Sequence, residues 1–301
     1  MITAGRRALR LLRRLLSAAA IAALAEHCVL ARRWRASSPQ LFILGLPRSG
    51  TTLVYQYLVH RLRVAYFTNG VGRFHRAPCV TTWWQRRRHG EYRSDFASHY
   101  GAVEGPLAPR EAGAFWGRFF AVDDRVAAGD LAAAKVRRLR NIVACVQRVF
   151  GDRPFINKNV KHLLRLRALA EIFPDAHFLI VTRDSEDVAR SLLRARTDLL
   201  GDAHSWWSVK PRNFAALRQL EPSDQVAGQV RALTGELDAE LARLPSQRVH
   251  HIAYEDFCTE PECCVRLLKA ALGPLELRNP PEAQFERRGH LQPVALEGIT
   301  P

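Results

Sequence analysis

The sequence contains few of the residue patterns that mark a metal site or a disulfide framework. Its six cysteines form no Cys-x-x-Cys pair, and no histidine lies at zinc-ligand spacing, so we expect no structural metal. A hydrophobic fraction of 48% can build a core without disulfides. We therefore expect free, reduced thiols in a cytoplasmic protein, at Cys28, Cys79, Cys145, Cys258, Cys263 and Cys264.

No long hydrophobic run is present either. The apolar stretch from Leu15 to Ala25 holds about eleven residues, whereas a membrane-spanning helix needs roughly 20. No clean signal-peptide cleavage site follows it. Because arginines precede this stretch, we expect residues 1–35 to form a basic and apolar helix that contacts an anionic membrane surface peripherally. A plain helix packed on the domain is the alternative.

Acidic residues are scarce. Asp and Glu number 29 against 45 Lys and Arg, a net charge of +16, which suggests an anionic partner. The arginines crowd between Arg6 and Arg35 and again at residues 86–88, without the aromatic interleaving or motifs of a nucleic-acid-binding protein. We therefore expect no nucleic-acid partner. The anionic partner can be a phosphorylated ligand or a membrane surface. The alternative explanation of the charge is a proteome that uses arginine in place of lysine.

The hydrophobic pattern predicts short apolar strands that alternate with helices. The strands are predicted at 41–44, 155–157, 177–182 and 249–253. Such alternation indicates an α/β fold in which a mostly parallel sheet lies between two layers of helices. Asp130 and Thr259 are predicted to cap helices. Without an internal repeat or a linker, residues 36–301 are expected to form one domain, with the substrate pocket in the irregular region 69–125.

The strongest motif is GLPRSGTT at residues 45–52, between a predicted strand and a predicted helix. Gly45 and Gly50 permit a tight turn whose backbone N–H groups can hold phosphate oxygens at the start of the helix. The glycine spacing is that of a nucleoside-triphosphatase loop, but Thr51 occupies the position of the required lysine. The cation lies instead inside the loop, as Arg48. A P-loop kinase or triphosphatase is therefore the alternative function.

This segment resembles the 5′-phosphosulfate loop of the sulfotransferases that use 3′-phosphoadenosine 5′-phosphosulfate (PAPS). The sequence PRSGTT is most similar to the corresponding loop of tyrosylprotein and carbohydrate sulfotransferases and their bacterial relatives. The resemblance implies a P-loop-type fold and transfer of a sulfuryl group from PAPS, without metal, to a hydroxyl or amine. The acceptor stays open between glycan, lipid, peptide and small molecule. The implied nucleotide-binding residues of the loop are Arg48, Ser49, Gly50, Thr51 and Thr52.

A second segment, residues 177–196, is similar to the family's motif of a strand, Arg, Asp, six residues and Ser. Arg183 follows the strand, and Ser191 lies two turns into the next helix. An arginine at the carboxyl edge of a parallel sheet can bind a phosphate bidentately, and a facing serine can add a hydrogen bond. We expect this pair to hold the 3′-phosphate of PAPS. Arg194 or Arg196 is a further candidate.

Two cations are expected to act in catalysis. Sulfuryl transfer needs aligned reactants and fixed positive charge for the leaving group. Arg48 is the first such cation, and Lys158, in PFINKNV, matches the catalytic lysine of tyrosylprotein sulfotransferases. Tyr254 matches a Tyr-Glu pair that faces the nucleotide in related enzymes. Trp206 and Trp207 are candidates for covering the adenine or shaping the acceptor pocket.

The general base is less well defined by the sequence. The tyrosylprotein enzymes carry a Glu about twenty residues after the loop arginine, but that region here reads YFTNGVGRF and holds no carboxylate. We favour Glu104 because it lies among Gly and Pro in a loop rather than on a helix face. Glu111, His75 and His99 are the alternatives.

Overall fold

The structure is a computed structural model that describes residues 18–121, 125–280 and Phe285. Its centre is a sheet of four strands, β1 (Gln40–Leu44), β2 (Phe155–Lys158), β3 (His177–Thr182) and β4 (Val249–Ala253). The strands lie in the order β2-β1-β3-β4, and every neighbouring pair is parallel. Helices flank this sheet, so the predicted α/β fold is confirmed.

The helices follow the strands in the order that the sequence predicts, with several short additions. We number them α1 (residues 18–31), α2 (Thr51–Arg61), α3 (Asn69–Arg73), α4 (Pro78–His89), α5 (Gly113–Trp116), α6 (Ala133–Val149), α7 (Leu166–Ile172), α8 (Ser185–Leu200), α9 (Phe214–Leu217), α10 (Pro222–Leu241), α11 (Tyr254–Thr259) and α12 (Glu262–Leu272). Short 3-10 helices cover Ala128–Asp130, Val160–Arg165 and Ser246–Arg248.

The core forms around the two central strands. Every residue of β1 is buried, as expected for a parallel strand that is covered on both faces. Phe42, in the middle of β1, lies opposite Phe178 of β3 and stacks on it with ring centroids 6.0 Å apart. Its ring also contacts Trp116 and Phe173, which come from outside the sheet. This packing fixes the strand that leads into the residue 45–52 loop.

Two predicted helix caps are wrong. Asp130 accepts a hydrogen bond from the N–H of Ala127 within a 3-10 turn, and α6 begins only at Ala133. Thr259 ends α11, where its hydroxyl donates to the carbonyl of Glu255. In both places the polar side chain satisfies a local backbone group of the preceding turn, which the residue type alone does not reveal.

Helix α1 is anchored to the rest of the structure through a buried carboxylate. Glu26 is 1% exposed and accepts hydrogen bonds from the N–H groups of Cys79 (3.1 Å) and Val80 (2.9 Å) in the first turn of α4. Burial raises the pKa of Glu26 despite these bonds. The described part of the N-terminal segment is therefore packed on the domain, although Ile21 and Leu24 remain exposed.

The structure does not test two predictions about the N-terminal segment. Residues 1–17 lie outside the described residues, so membrane contact by residues 1–35 and the boundary at residue 36 stay predictions. Within the described part of the chain, no helix has the length and apolar character needed to cross a membrane. All six cysteines are thiols, and none forms a disulfide.

Candidate functional site

A cavity of about 320 Å³ opens at the carboxyl edge of the sheet. All four strands end at this edge, because they are parallel, and the segments that follow them line the cavity. These segments bring together most of the residues that the sequence predicts for a nucleotide site. The lining of the cavity includes Arg48, Gly50, Thr51, Thr52, Tyr100, Glu111, Lys158, Arg183, Ser191, Arg194, Trp207 and Tyr254.

The residue 45–52 loop has a backbone that few residue types could adopt. Gly50 is left-handed (φ 88°, ψ 2°) at the N-cap of α2, and Arg48 also has a positive φ of 73°. A Cβ on Gly50 would lie 2.6 Å from Cε2 of Tyr254, and one on Gly45 would lie 2.6 Å from the carbonyl oxygen of Val181. The two glycines therefore let the loop approach β3 and the segment after β4 closely.

The two predicted nucleotide motifs are in direct contact. Nε of Arg48 donates a hydrogen bond of 2.9 Å to Oγ of Ser191 on α8. Nη1 of Arg183, which follows β3, donates 3.0 Å to the backbone carbonyl of Arg48. The guanidinium of Arg183 lies 4.7 Å from the ring centre of Tyr254. These contacts fix both guanidinium groups against the cavity before any ligand binds.

Lys158 is the most deeply buried cation of the site, with its side chain 4% exposed. It is the last residue of β2, and its Nζ donates 2.9 Å to Oγ1 of Thr52 and pairs with the carboxylate of Glu111. A buried ammonium requires such partners, since an unpaired charge is costly to desolvate. Asn159 holds Glu111 in place by donating 3.1 Å to its backbone carbonyl.

Of the candidate bases, Glu111 lines the cavity and the other three do not. Glu104 is exposed in its loop, and His99 is exposed with its ring edge against Tyr100. His75 lines a separate cavity next to α1. Glu111 reaches the site through its pairing with Lys158, a contact between residues 47 positions apart that no local pattern indicates.

The remaining candidates divide between the cavity and the core. Arg194 and Trp207 line the cavity, whereas Arg196 is fully buried and donates to the side chains of Gln225 (2.7 Å) and Gln229 (3.0 Å). Of the two arginine candidates, only Arg194 can reach a ligand. Trp206 is half-buried, stacks on the guanidinium of Arg196 and does not line the cavity.

Ser49 lies behind the loop rather than on its surface. It is 2% exposed and does not line the cavity. Its Oγ has no hydrogen-bond partner among the described residues. The structure therefore places Ser49 beneath the loop, whereas Arg48, Gly50, Thr51 and Thr52 line the cavity.

Tyr100 is a site residue that the sequence did not indicate. Its hydroxyl donates to the carboxylate of Asp198 on α8, and its ring lies 4.9 Å from the guanidinium of Arg48. Burial and the bond to Asp198 raise the pKa of Tyr100. Its own φ of 48° is left-handed, and so is the φ of 58° at Phe96. This irregular segment, residues 96–101, forms one wall of the cavity and matches no motif.

Positive charge in the cavity comes from side chains. Three arginines and Lys158 line it, and Glu111 is the acidic residue among its lining. Among residues 18–121, 125–280 and Phe285, no group of three or more His, Cys, Asp or Glu side chains could hold a metal ion. The arrangement can bind an anion with several charges and can place a lysine and a carboxylate beside it.

Comparisons with known proteins identify the fold and the family. The structure is similar to that of the sulfotransferase STF9 from Mycobacterium avium, with a TM-score of 0.53, 16% identity, and 85% of this chain and 71% of that chain covered. The sulfotransferase STF1 from Mycobacterium tuberculosis H37Rv aligns with a TM-score of 0.49 and 14% identity, over 84% of this chain and 74% of that one. A comparison with curated proteins finds no match. At such identities the structural likeness supports the fold alone. The sequence itself matches the model of the Sulfotransferase family over residues 39–275, so the chain belongs to the Sulfotransferase family.

Proposed function

We propose that this sulfotransferase takes its sulfuryl group from PAPS and transfers it to a hydroxyl or amine at the cavity described above. The observation that carries the proposal is the convergence of Arg48, Lys158 and Arg183 on one cavity beside a glycine loop. PAPS is a nucleotide with a 3′-phosphate and a 5′-phosphosulfate, and fixed cations and backbone N–H groups suit both ends.

The residues present fit such a donor. Gly50 lets the start of α2 pack closely against the ring of Tyr254, and its left-handed backbone turns the loop into the first turn of the helix, where backbone N–H groups can bind an anion. Thr51 and Thr52, at the start of α2, line the same cavity. Arg183 and Ser191 are joined through Arg48 and can hold a second phosphate at the other side of the loop. A volume of about 320 Å³ lies within the range of small-molecule sites.

We assign the charge-stabilising roles to Arg48 and Lys158. When bound, the donor supplies a sulfur atom whose bond to the 5′-phosphate oxygen breaks as the bond to the acceptor oxygen or nitrogen forms. Lys158 and Arg48 then stabilise the negative charge that grows on the departing phosphate. Both cations are held by hydrogen bonds in advance, so little reorganisation is needed during transfer.

We propose Glu111, rather than Glu104, as the general base. Its carboxylate lines the cavity beside Lys158, where it can accept the proton that the acceptor hydroxyl loses. Glu104 is exposed and does not line the cavity, so its carboxylate is not placed to contact an acceptor bound there. The ion pair with Lys158 also keeps the carboxylate oriented toward the reacting groups.

The proposal is tested by intact-mass analysis of acceptor panels incubated with enzyme and PAPS. The panels contain glycans, lipids, peptides, and phenols or alcohols, and the product should gain one sulfuryl group. Glu111→Gln should lower turnover by about 10²–10⁴, whereas Glu104→Gln, the matched control, should stay near wild type. Full activity of Glu111→Gln with an inactive Glu104→Gln would return the base to Glu104.

The alternative is a kinase or triphosphatase that uses the same loop. Thr51 occupies the position where such enzymes need a lysine, and the family match favours sulfuryl transfer.

A cytoplasmic location, with residues 1–35 in contact with a membrane, stays a prediction. Deleting residues 1–17, which leaves the Glu26 anchor intact, should lower binding to anionic liposomes without loss of transfer activity.

A further inference from the structure

A second cavity, of about 420 Å³, lies between α1, the segment before α4, the end of α5 and helix α6. It is separate from the cavity at the sheet edge and shares no lining residue with it. Apart from Ala23, every residue that lines it is basic or can become so: His27, His75, Arg76, Arg118 and Arg138. We call this set the basic cavity.

The cations of the basic cavity are not neutralised by neighbouring carboxylates. No carboxylate among the described residues forms a salt bridge with Arg76, Arg118 or Arg138. Glu26 is the nearby acid, but it is buried and its oxygens accept the N–H groups at the start of α4. The charge of Glu26 interacts with that of Arg118, but one carboxylate does not balance three guanidinium groups, so the cavity keeps a net positive charge.

Arg118 is positioned rather than freely mobile. Its Nη1 donates 2.7 Å to the backbone carbonyl of His75, which ties the end of α5 to the segment before α4. Burial, followed by the guanidinium groups of Arg138 and Arg76, lowers the pKa of Arg118. Like charges gathered from separate elements repel one another, so this arrangement costs stability unless an anion compensates it.

We propose that the basic cavity binds a phosphate monoester group, either of a soluble metabolite or of a lipid headgroup. Three guanidinium groups on different elements can surround a tetrahedral dianion, and arginine is suited to bidentate phosphate contacts. His27 and His75 add donors that strengthen when protonated. Because α1 contributes Ala23 and His27, the bound phosphate would also link α1 to α5 and α6.

The test compares two double variants that remove the same charge. Arg76→Gln with Arg138→Gln removes two exposed arginines of the basic cavity that make no hydrogen bond within the described part of the chain. Arg73→Gln with Arg137→Gln is the matched control, since both residues are exposed near the same elements but do not line the cavity. Inorganic phosphate is the probe, and the ring signals of His75 are followed by NMR.

The control should show phosphate-dependent shifts of the His75 signals, and the cavity variant should need at least about tenfold more phosphate. The readout is local, so phosphate bound at the sheet-edge cavity does not affect it. Equal responses in both variants, or none in either, would overturn the proposal. Flotation with phosphatidylcholine vesicles that contain phosphatidic acid or phosphatidylserine then identifies the source. Loss of phosphatidic acid binding only in the cavity variant assigns a lipid headgroup, and equal vesicle binding by the two variants assigns a soluble phosphate.

Discussion

Replacing Gly50 with alanine should separate the backbone role of this glycine from its role in the nucleotide site. Gly50 and Gly201 have nearly the same left-handed conformation, with φ of 88° and 70°. A Cβ on Gly50 would lie 2.6 Å from Cε2 of Tyr254, whereas a Cβ on Gly201 meets no atom within 4 Å. Gly201→Ala is therefore a control that carries the backbone cost alone.

The magnitudes follow from these contacts. Alanine in the left-handed region costs about 1–2 kcal/mol, which lowers the Tm of a domain of this size by about 2–4 °C per kcal/mol. Both variants should lose this much. In Gly50→Ala the buried ring of Tyr254 must also move, and with it Arg183, whose guanidinium lies 4.7 Å from the ring centre. We expect adenosine 3′,5′-bisphosphate (PAP) to bind at least about tenfold more weakly to this variant.

The assay is calorimetric titration of PAP together with thermal unfolding of each protein. Gly201→Ala should bind PAP as the wild type does and show only the lower Tm. The reasoning fails if Gly50→Ala binds PAP as tightly as Gly201→Ala, because the loop would then tolerate a displaced Tyr254.

Three further predictions address the cations and the pH dependence of stability. Lys158→Ala should lower turnover by about 10²–10³ while PAP binding, measured by titration, stays near normal; weaker PAP binding with normal turnover at saturating PAPS would make Lys158 a binding residue. Arg183→Ala should remove most of the stabilisation by PAP, a loss of about 1.5–3 kcal/mol, and equal stabilisation of both proteins would exclude Arg183 from the site. Burial lowers the pKa values of His177 and His250, whose ring nitrogens lie 2.9 Å apart, from the ordinary value of 6.5. The unfolded chain then binds more protons below about pH 6.5, so urea denaturation should show stability falling as the pH drops, and less steeply in His177→Gln with His250→Gln.

The sequence predicted the strands and the glycine turn at residues 45–52 well because both are local patterns. β3 and β4 have the bounds that the apolar runs predict, and the glycines of the residue 45–52 loop mark a turn that other residues cannot adopt. Parallel strands then bring Arg48, Lys158 and Arg183 to one edge of the sheet.

The contacts that Glu111 and Tyr100 make at the cavity were not predictable in the same way. Glu111 reaches Lys158 only through the packing of an irregular segment, and Tyr100 meets Asp198 across 98 positions of sequence. Such contacts depend on tertiary structure rather than on a periodic or local signal. Arg194 and Arg196 differ for a related reason, since two residues along a helix point in different directions and only one of them faces the cavity.

Thermal unfolding of the wild-type protein with PAP, PAPS or ATP–Mg²⁺ tests the central claim most directly. A ligand that binds only the folded state at about 100 times its Kd adds about 2.7 kcal/mol of stability. The account predicts that PAP and PAPS raise the Tm in the presence of EDTA, and that ATP–Mg²⁺ has a much smaller effect. An unchanged Tm with PAP and PAPS, or a larger rise with ATP–Mg²⁺, would contradict the proposed donor.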